Sequence, residues 1–146
     1  MATKNAHITQ IVRNGITFSG RTDSNHWLTM DGPVEFGGSN AGIRPKELLL
    51  LAIAGCTGSD VASILAKKRV PLSGFDIHVT AEETQEHPKT FSSMHIEYVF
   101  RGDGINPKDV ERAIDLSLTK YCGVTAMFQK AMDITHSFRI EAQNAV

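Results

Sequence analysis

Disulfide-forming residues are scarce in this sequence: its 146 residues include two cysteines, Cys56 and Cys122. That is too few for the disulfide framework of a small exported domain. There is no Cys-x-x-Cys and no His-Glu-x-x-His, and the six histidines are scattered without ligand spacing. No metal and no cofactor is therefore expected. Charge of one sign is missing too, with 15 Lys and Arg against 16 Asp and Glu, a net charge of −1. The densest basic cluster, Lys67-Lys68-Arg69, suits the negative end of a helix dipole, so no nucleic-acid partner is expected. Long apolar runs are absent as well. The longest, Leu48 to Gly55, falls well below the roughly 20 residues that span a bilayer. The polar opening, Met1 to His7, predicts no signal peptide. These absences together predict a cytoplasmic protein with no membrane role. Gly37, Gly38 and Gly42 lack the strand and helix context of a dinucleotide loop, and no Gly-x-Ser-x-Gly elbow occurs.

What is present reads as one α+β domain over 1–146, with an ordinary 41% of apolar residues. N-terminal strands occupy about 7–30: His7 to Val12, the Asn14-Gly15 turn, a strand from Ile16, and Trp27 to Met30. The glycine-rich stretch 31–42 predicts a mobile surface segment or an arm crossing to a partner. A helix over about 45–68 begins at Pro45 and closes at Lys67-Lys68-Arg69 before Pro71. Its middle, Leu48 to Ala54, is apolar nearly all round and should be buried on more than one side. Ala52, Gly55, Cys56, Ser59 and Ser63 make a stripe of small residues that would let another helix approach, which points to an oligomer. Strands and helices fill about 74–142: Asp76 to Glu83, Phe91 to Arg101, a helix capped by Asn106, a shorter one from Val124, and a strand around Ile134 to Ile140.

The two thiols are the chemistry candidates. Cys56 sits mid-helix, where apolar surroundings keep a thiol inert unless a cation lies close. It is either a nucleophile or a structural residue. Cys122 precedes Gly123 and a helix start, so unpaired amides would favour its thiolate. The alternative is a small residue filling a corner between helices. His95 and His136 fall in strands and read as structural.

The stretch from Gly42 to Cys56, Gly-Ile-Arg-Pro-Lys-Glu-Leu-Leu-Leu-Leu-Ala-Ile-Ala-Gly-Cys, resembles the Pro-x-Glu-Leu…Ala-x-Cys helix of the OsmC/Ohr superfamily. Leu118 to Val124, Leu-Thr-Lys-Tyr-Cys-Gly-Val, resembles that family's second cysteine motif. This motif and the later Ile-Thr-His-Ser are similar to the family's YhfA-like branch. The resemblance implies an OsmC-like fold, with antiparallel sheets around two long central helices in an intertwined homodimer. It also implies a thiol peroxidase of oxidative stress defence. Cys56 would attack an organic hydroperoxide and become a sulfenic acid, Cys122 would resolve it as a disulfide, and a dithiol such as a lipoyl protein would reduce the pair. Family peroxidases activate the first cysteine with an arginine held by a glutamate. Arg13 is the best positional match for the arginine, and Arg44 is a second candidate. The glutamate's place after the motif proline is taken by Lys46, with Glu47 one step on, about 100° round the helix. Cys122 is followed by Gly123, where the peroxidases usually carry proline. These departures support a second expectation, a non-catalytic dimer that binds a small apolar or thiol-containing ligand.

Overall fold

The structure is a computed structural model and describes residues 1–144. The chain forms two compact units, Met1–Leu49 and Leu50–Val146. The first is an antiparallel meander of β1 (Ala6–Gln10), β2 (Phe18–Thr22) and β3 (Trp27–Met30). Asn14 takes the left-handed conformation, φ 59°, which asparagine tolerates better than most residues. The connection is wider than a two-residue hairpin. Ile11 N–H donates to the Thr17 carbonyl and Gly15 N–H to that of Val12, both at 3.0 Å, and β2 starts at Phe18 rather than Ile16. The glycine-rich stretch is organised around one carboxylate. Buried Asp31 accepts backbone N–H bonds from Gly32 at 2.8 Å and from Ser39 and Ala41 at 3.0 Å. A 3-10 turn, Pro45–Glu47, leads into the next helix, with the Glu47 carboxylate accepting the Arg44 backbone N–H at 3.2 Å.

The second unit is built on helix α1 (Leu48–Lys67), whose first two residues belong to the preceding unit. Ile53, Thr57, Val61 and Leu65 are its buried positions, and their spacing of four puts them on one face. They pack with Met94, Ile96, Tyr98 and Phe100 of the sheet and with Val110, Ala113 and Ile114 of a later helix. The sheet comprises β4 (Gly74–Glu83), β5 (Phe91–Arg101) and β6 (Asp133–Glu141), in that order. Phe75 of β4 stacks on Phe100 at 4.6 Å between ring centres. β4 and β5 are antiparallel, but β5 and β6 run parallel, Met94 opposite Ile134 and Phe100 opposite Ile140. The expectation of wholly antiparallel sheets is corrected here. Two helices lie between β5 and β6, and such a crossover returns the chain in the same direction.

Burial of α1 on more than one side is not met within one chain. Leu51, Ala52, Gly55, Ser59 and Ser63 are exposed, because the single sheet covers one face only. By length and composition alone, the 23 residues Pro45–Lys67 are apolar enough to cross a membrane, with mean hydropathy 1.9 over a window that is 22% buried. The run Leu48 to Gly55 understated this, since small residues carry the apolar character onward to Lys67.

Helix α2 (Pro107–Leu116) is capped by Asn106, whose side-chain oxygen accepts the Lys108 N–H at 3.0 Å. Its end widens into a π-turn, Ser117–Tyr121, closed by Cys122 N–H to the Ser117 carbonyl at 2.8 Å. Helix α3 (Gly123–Phe128) follows at once.

Candidate active site

Helix α1 carries Cys56, and the junction of the π-turn with α3 carries Cys122. Both thiols are free, Cys56 half-buried and Cys122 3% exposed. The fold brings them near each other, close enough that Cys56 helps to push the Cys122 thiol up. The wider turn of a π-segment, often found at functional sites, sets the place of Cys122 after α2.

Burial pushes the Cys122 thiol up, Cys56 adds to this, and bonds from Thr125 oppose it without prevailing. The expectation of a low-pKa Cys122 is therefore reversed. The amides at the start of α3 are present, but desolvation of a thiolate among apolar groups outweighs them. The Thr125 hydroxyl donates to Cys122 Sγ at 3.1 Å, and the Thr125 backbone N–H does so at 3.4 Å.

Beside the thiols lies a buried polar chain that sequence reasoning missed. Thr57 Oγ1, next to Cys56 along α1, is 2.7 Å from the Tyr98 hydroxyl and 2.8 Å from Ser117 Oγ. Ser117 in turn donates to the Asp60 carboxylate at 3.0 Å. An ionised carboxylate only accepts and each hydroxyl has one proton to give, so the direction is fixed. Tyr98 donates to Thr57, Thr57 to Ser117, and Ser117 to Asp60. Burial pushes the Tyr98 phenol up to about 12; the Thr57 bond acts against this, and negative charge from Cys122 and Asp60 adds to it. Tyr98 thus stays protonated and the chain keeps its direction at neutral pH. One signal in the sequence could have found it: Thr57 is a polar residue on the otherwise apolar stripe Ile53, Val61, Leu65.

The remaining candidates belong to the N-terminal unit. Arg13 is exposed, in the turn between β1 and β2. Arg44 donates to the Asn40 side chain at 2.6 Å and to the Gly42 carbonyl at 3.1 Å. Glu47 is exposed and caps the turn through the Arg44 backbone rather than holding a guanidinium. His95 is satisfied by hydroxyls, Thr135 at 2.7 Å and Ser137 at 2.8 Å, as a structural histidine should be. Among the described residues no group of His, Cys, Asp and Glu could hold a metal.

Residues 37–137 match the family model of the OsmC-like protein. The chain is 37% identical to Protein YhfA of Escherichia coli K12 over 131 residues, 88% of this chain and 92% of that protein. Among solved structures, a hypothetical protein from Aquifex aeolicus VF5 superposes with a TM-score of 0.83 at 30% identity, covering 97% of this chain and 98% of the other. An organic hydroperoxide resistance protein from Elizabethkingia anophelis shares the fold, with a TM-score of 0.71 at 12% identity and coverage of 97% and 98%. With its two free thiols on this framework, the chain belongs to the OsmC-like family.

Proposed function

We propose that this protein is a thiol-dependent peroxidase that reduces organic hydroperoxides in oxidative stress defence, through Cys56 and Cys122. The observation that carries this reading is the placing of a half-buried free thiol near enough to a buried one to shift it. The Cys56 thiolate attacks the distal peroxide oxygen. The O–O bond breaks, an alcohol leaves with a proton, and Cys56 becomes a sulfenic acid. The Cys122 thiol then displaces hydroxide from that sulfur, giving a disulfide and water. A dithiol such as a lipoyl protein returns both cysteines to thiols and is itself oxidised to a disulfide. Cys56 needs a cation to act as a thiolate. In this reading Arg13 supplies it.

The working unit is proposed to be a cytoplasmic homodimer. Support comes from the uncovered face of α1, Leu51, Ala52, Gly55, Ser59 and Ser63, whose small side chains permit close helix approach.

The test is loss of free thiol from the reduced protein on mixing with cumene hydroperoxide or hydrogen peroxide. Two thiols per chain should disappear, faster with the organic peroxide. Cys56→Ser should abolish the reaction, and Arg13→Ala should slow it. Loss no faster than that of a free thiol in solution would overturn the reading. A non-catalytic ligand-binding role is favoured by one observation, an apolar hollow of about 420 Å³ in the N-terminal unit, lined by Ile8, Leu28, Met30 and Leu48 among others. Under that role Cys56→Ser would leave ligand binding intact.

A further inference from the structure

Cys122 is buried, yet the second step requires it as a nucleophile, and the thiolate is the reactive form. Something must favour its charged form inside the protein. Two donors point at its sulfur, the Thr125 hydroxyl at 3.1 Å and the Thr125 backbone N–H at 3.4 Å. The backbone donor is available to any residue at this position. The hydroxyl is not.

Thr125 is itself 0% exposed, and Cys122 Sγ is the one partner its hydroxyl has among the described residues. Burying a hydroxyl costs free energy unless it is bonded, so placing one here against a sulfur has a stability cost that valine of the same shape would avoid. Among the described residues the oxygen has its hydrogen bond to the reacting atom alone.

We infer that Thr125 is a catalytic residue of the resolving half-reaction, its hydroxyl donating to Cys122 Sγ as that sulfur takes on negative charge. This assignment rests on the peroxidase reading. In the step it serves, the Cys122 thiol gives up its proton and Cys122 Sγ attacks the sulfenic sulfur of Cys56. The S–S bond forms and the S–O bond breaks. The departing hydroxide takes up the proton, leaving as water. Cys122 is oxidised and the Cys56 sulfur is reduced from sulfenic acid to disulfide. The Thr125 proton is not transferred; it stays on its oxygen and stabilises the attacking thiolate.

The experiment separates this role from the peroxidase reading by using two readouts. In the first, Cys122 is titrated by thiolate absorbance in the Cys56→Ser protein, alone and combined with Thr125→Val or Thr125→Ser. Loss of a bond to a charged sulfur should raise the midpoint by about one pH unit, a tenfold loss of thiolate at a given pH. Thr125→Ser, which keeps the hydroxyl, should restore most of it. In the second, Thr125→Val with both cysteines present is mixed with cumene hydroperoxide. Disulfide should close about tenfold more slowly and sulfenic acid should accumulate, trapped by dimedone. An unmoved midpoint in Thr125→Val overturns the inference whatever the peroxide chemistry. A raised midpoint in a protein that consumes no peroxide supports the role of Thr125 at the sulfur and refutes the peroxidase reading. Should Thr125→Val fail to fold, Thr125→Ala and Thr125→Ser carry the same comparison.

Discussion

Thr57 is the keystone of the polar chain beside the thiols, and its removal makes a sign prediction. Thr57→Val keeps the shape but deletes the bonds to Tyr98 at 2.7 Å and to Ser117 at 2.8 Å. Ser117 retains Asp60 at 3.0 Å, whereas the fully buried Tyr98 hydroxyl loses its acceptor. An orphaned buried hydroxyl costs about 1–3 kcal/mol and a lost neutral bond about 1 kcal/mol, so Thr57→Val should destabilise by about 2–4 kcal/mol. Tyr98→Phe in the wild-type background should cost about 1 kcal/mol, because Thr57 still donates to Ser117 and nothing is orphaned. In the Thr57→Val background the same substitution removes the orphan and should recover about 1 kcal/mol. The two effects differ in sign, giving a coupling of about 2 kcal/mol in the double-mutant cycle. Urea unfolding of the four proteins measures it, at fixed protein concentration so that any association contributes equally. If Tyr98→Phe destabilises both backgrounds by the same amount, the directed chain from Tyr98 to Asp60 is refuted.

Two further outcomes are expected. Asp31 is pushed up by burial but more strongly down by N–H bonds from Ala41, Gly32 and Ser39 and by Thr17, so its carboxyl lies below the ordinary value of 3.8. A depressed folded value means that its stabilisation is present above 3.8 and fades as pH falls through the lower folded value. Acid titration of Trp27 fluorescence in the N-terminal unit should show this transition, and Asp31→Asn should abolish it; a transition unchanged in that variant would contradict the assignment. Gly123→Pro should be tolerated and should stabilise by about 0.4–1 kcal/mol in urea unfolding. Gly123 opens α3, a Cβ there meets nothing within 4 Å, and Cys122 before it is extended at φ −74° and ψ 100°, as the residue preceding a proline should be. Destabilisation would show that the Gly123 N–H is needed.

Much of the fold was legible because its signals are local. Asn106 and Pro107 marked the start of α2 through a cap that the structure contains, and alternation along Phe91 to Arg101 gave β5 residue for residue. The two cysteine motifs marked where the thiols lie, since each sits in a distinctive run of neighbours. What stayed hidden depends on partners far apart in sequence. The parallel pairing of β6 with β5 follows from the path of two intervening helices, which no window of sequence contains. The shift of Cys122 follows from how much apolar material surrounds its sulfur, and the position of that residue before a helix start suggested the opposite. The chain from Tyr98 to Asp60 joins residues up to 60 positions apart, so its chemistry exists only once α1, β5 and the π-turn are packed together. The sequence by itself determined the residues available for chemistry and the local elements that carry them. Tertiary structure decided which sulfur is buried, which hydroxyls face it and which way their protons point, because desolvation and hydrogen-bond direction are set by atoms brought close in space.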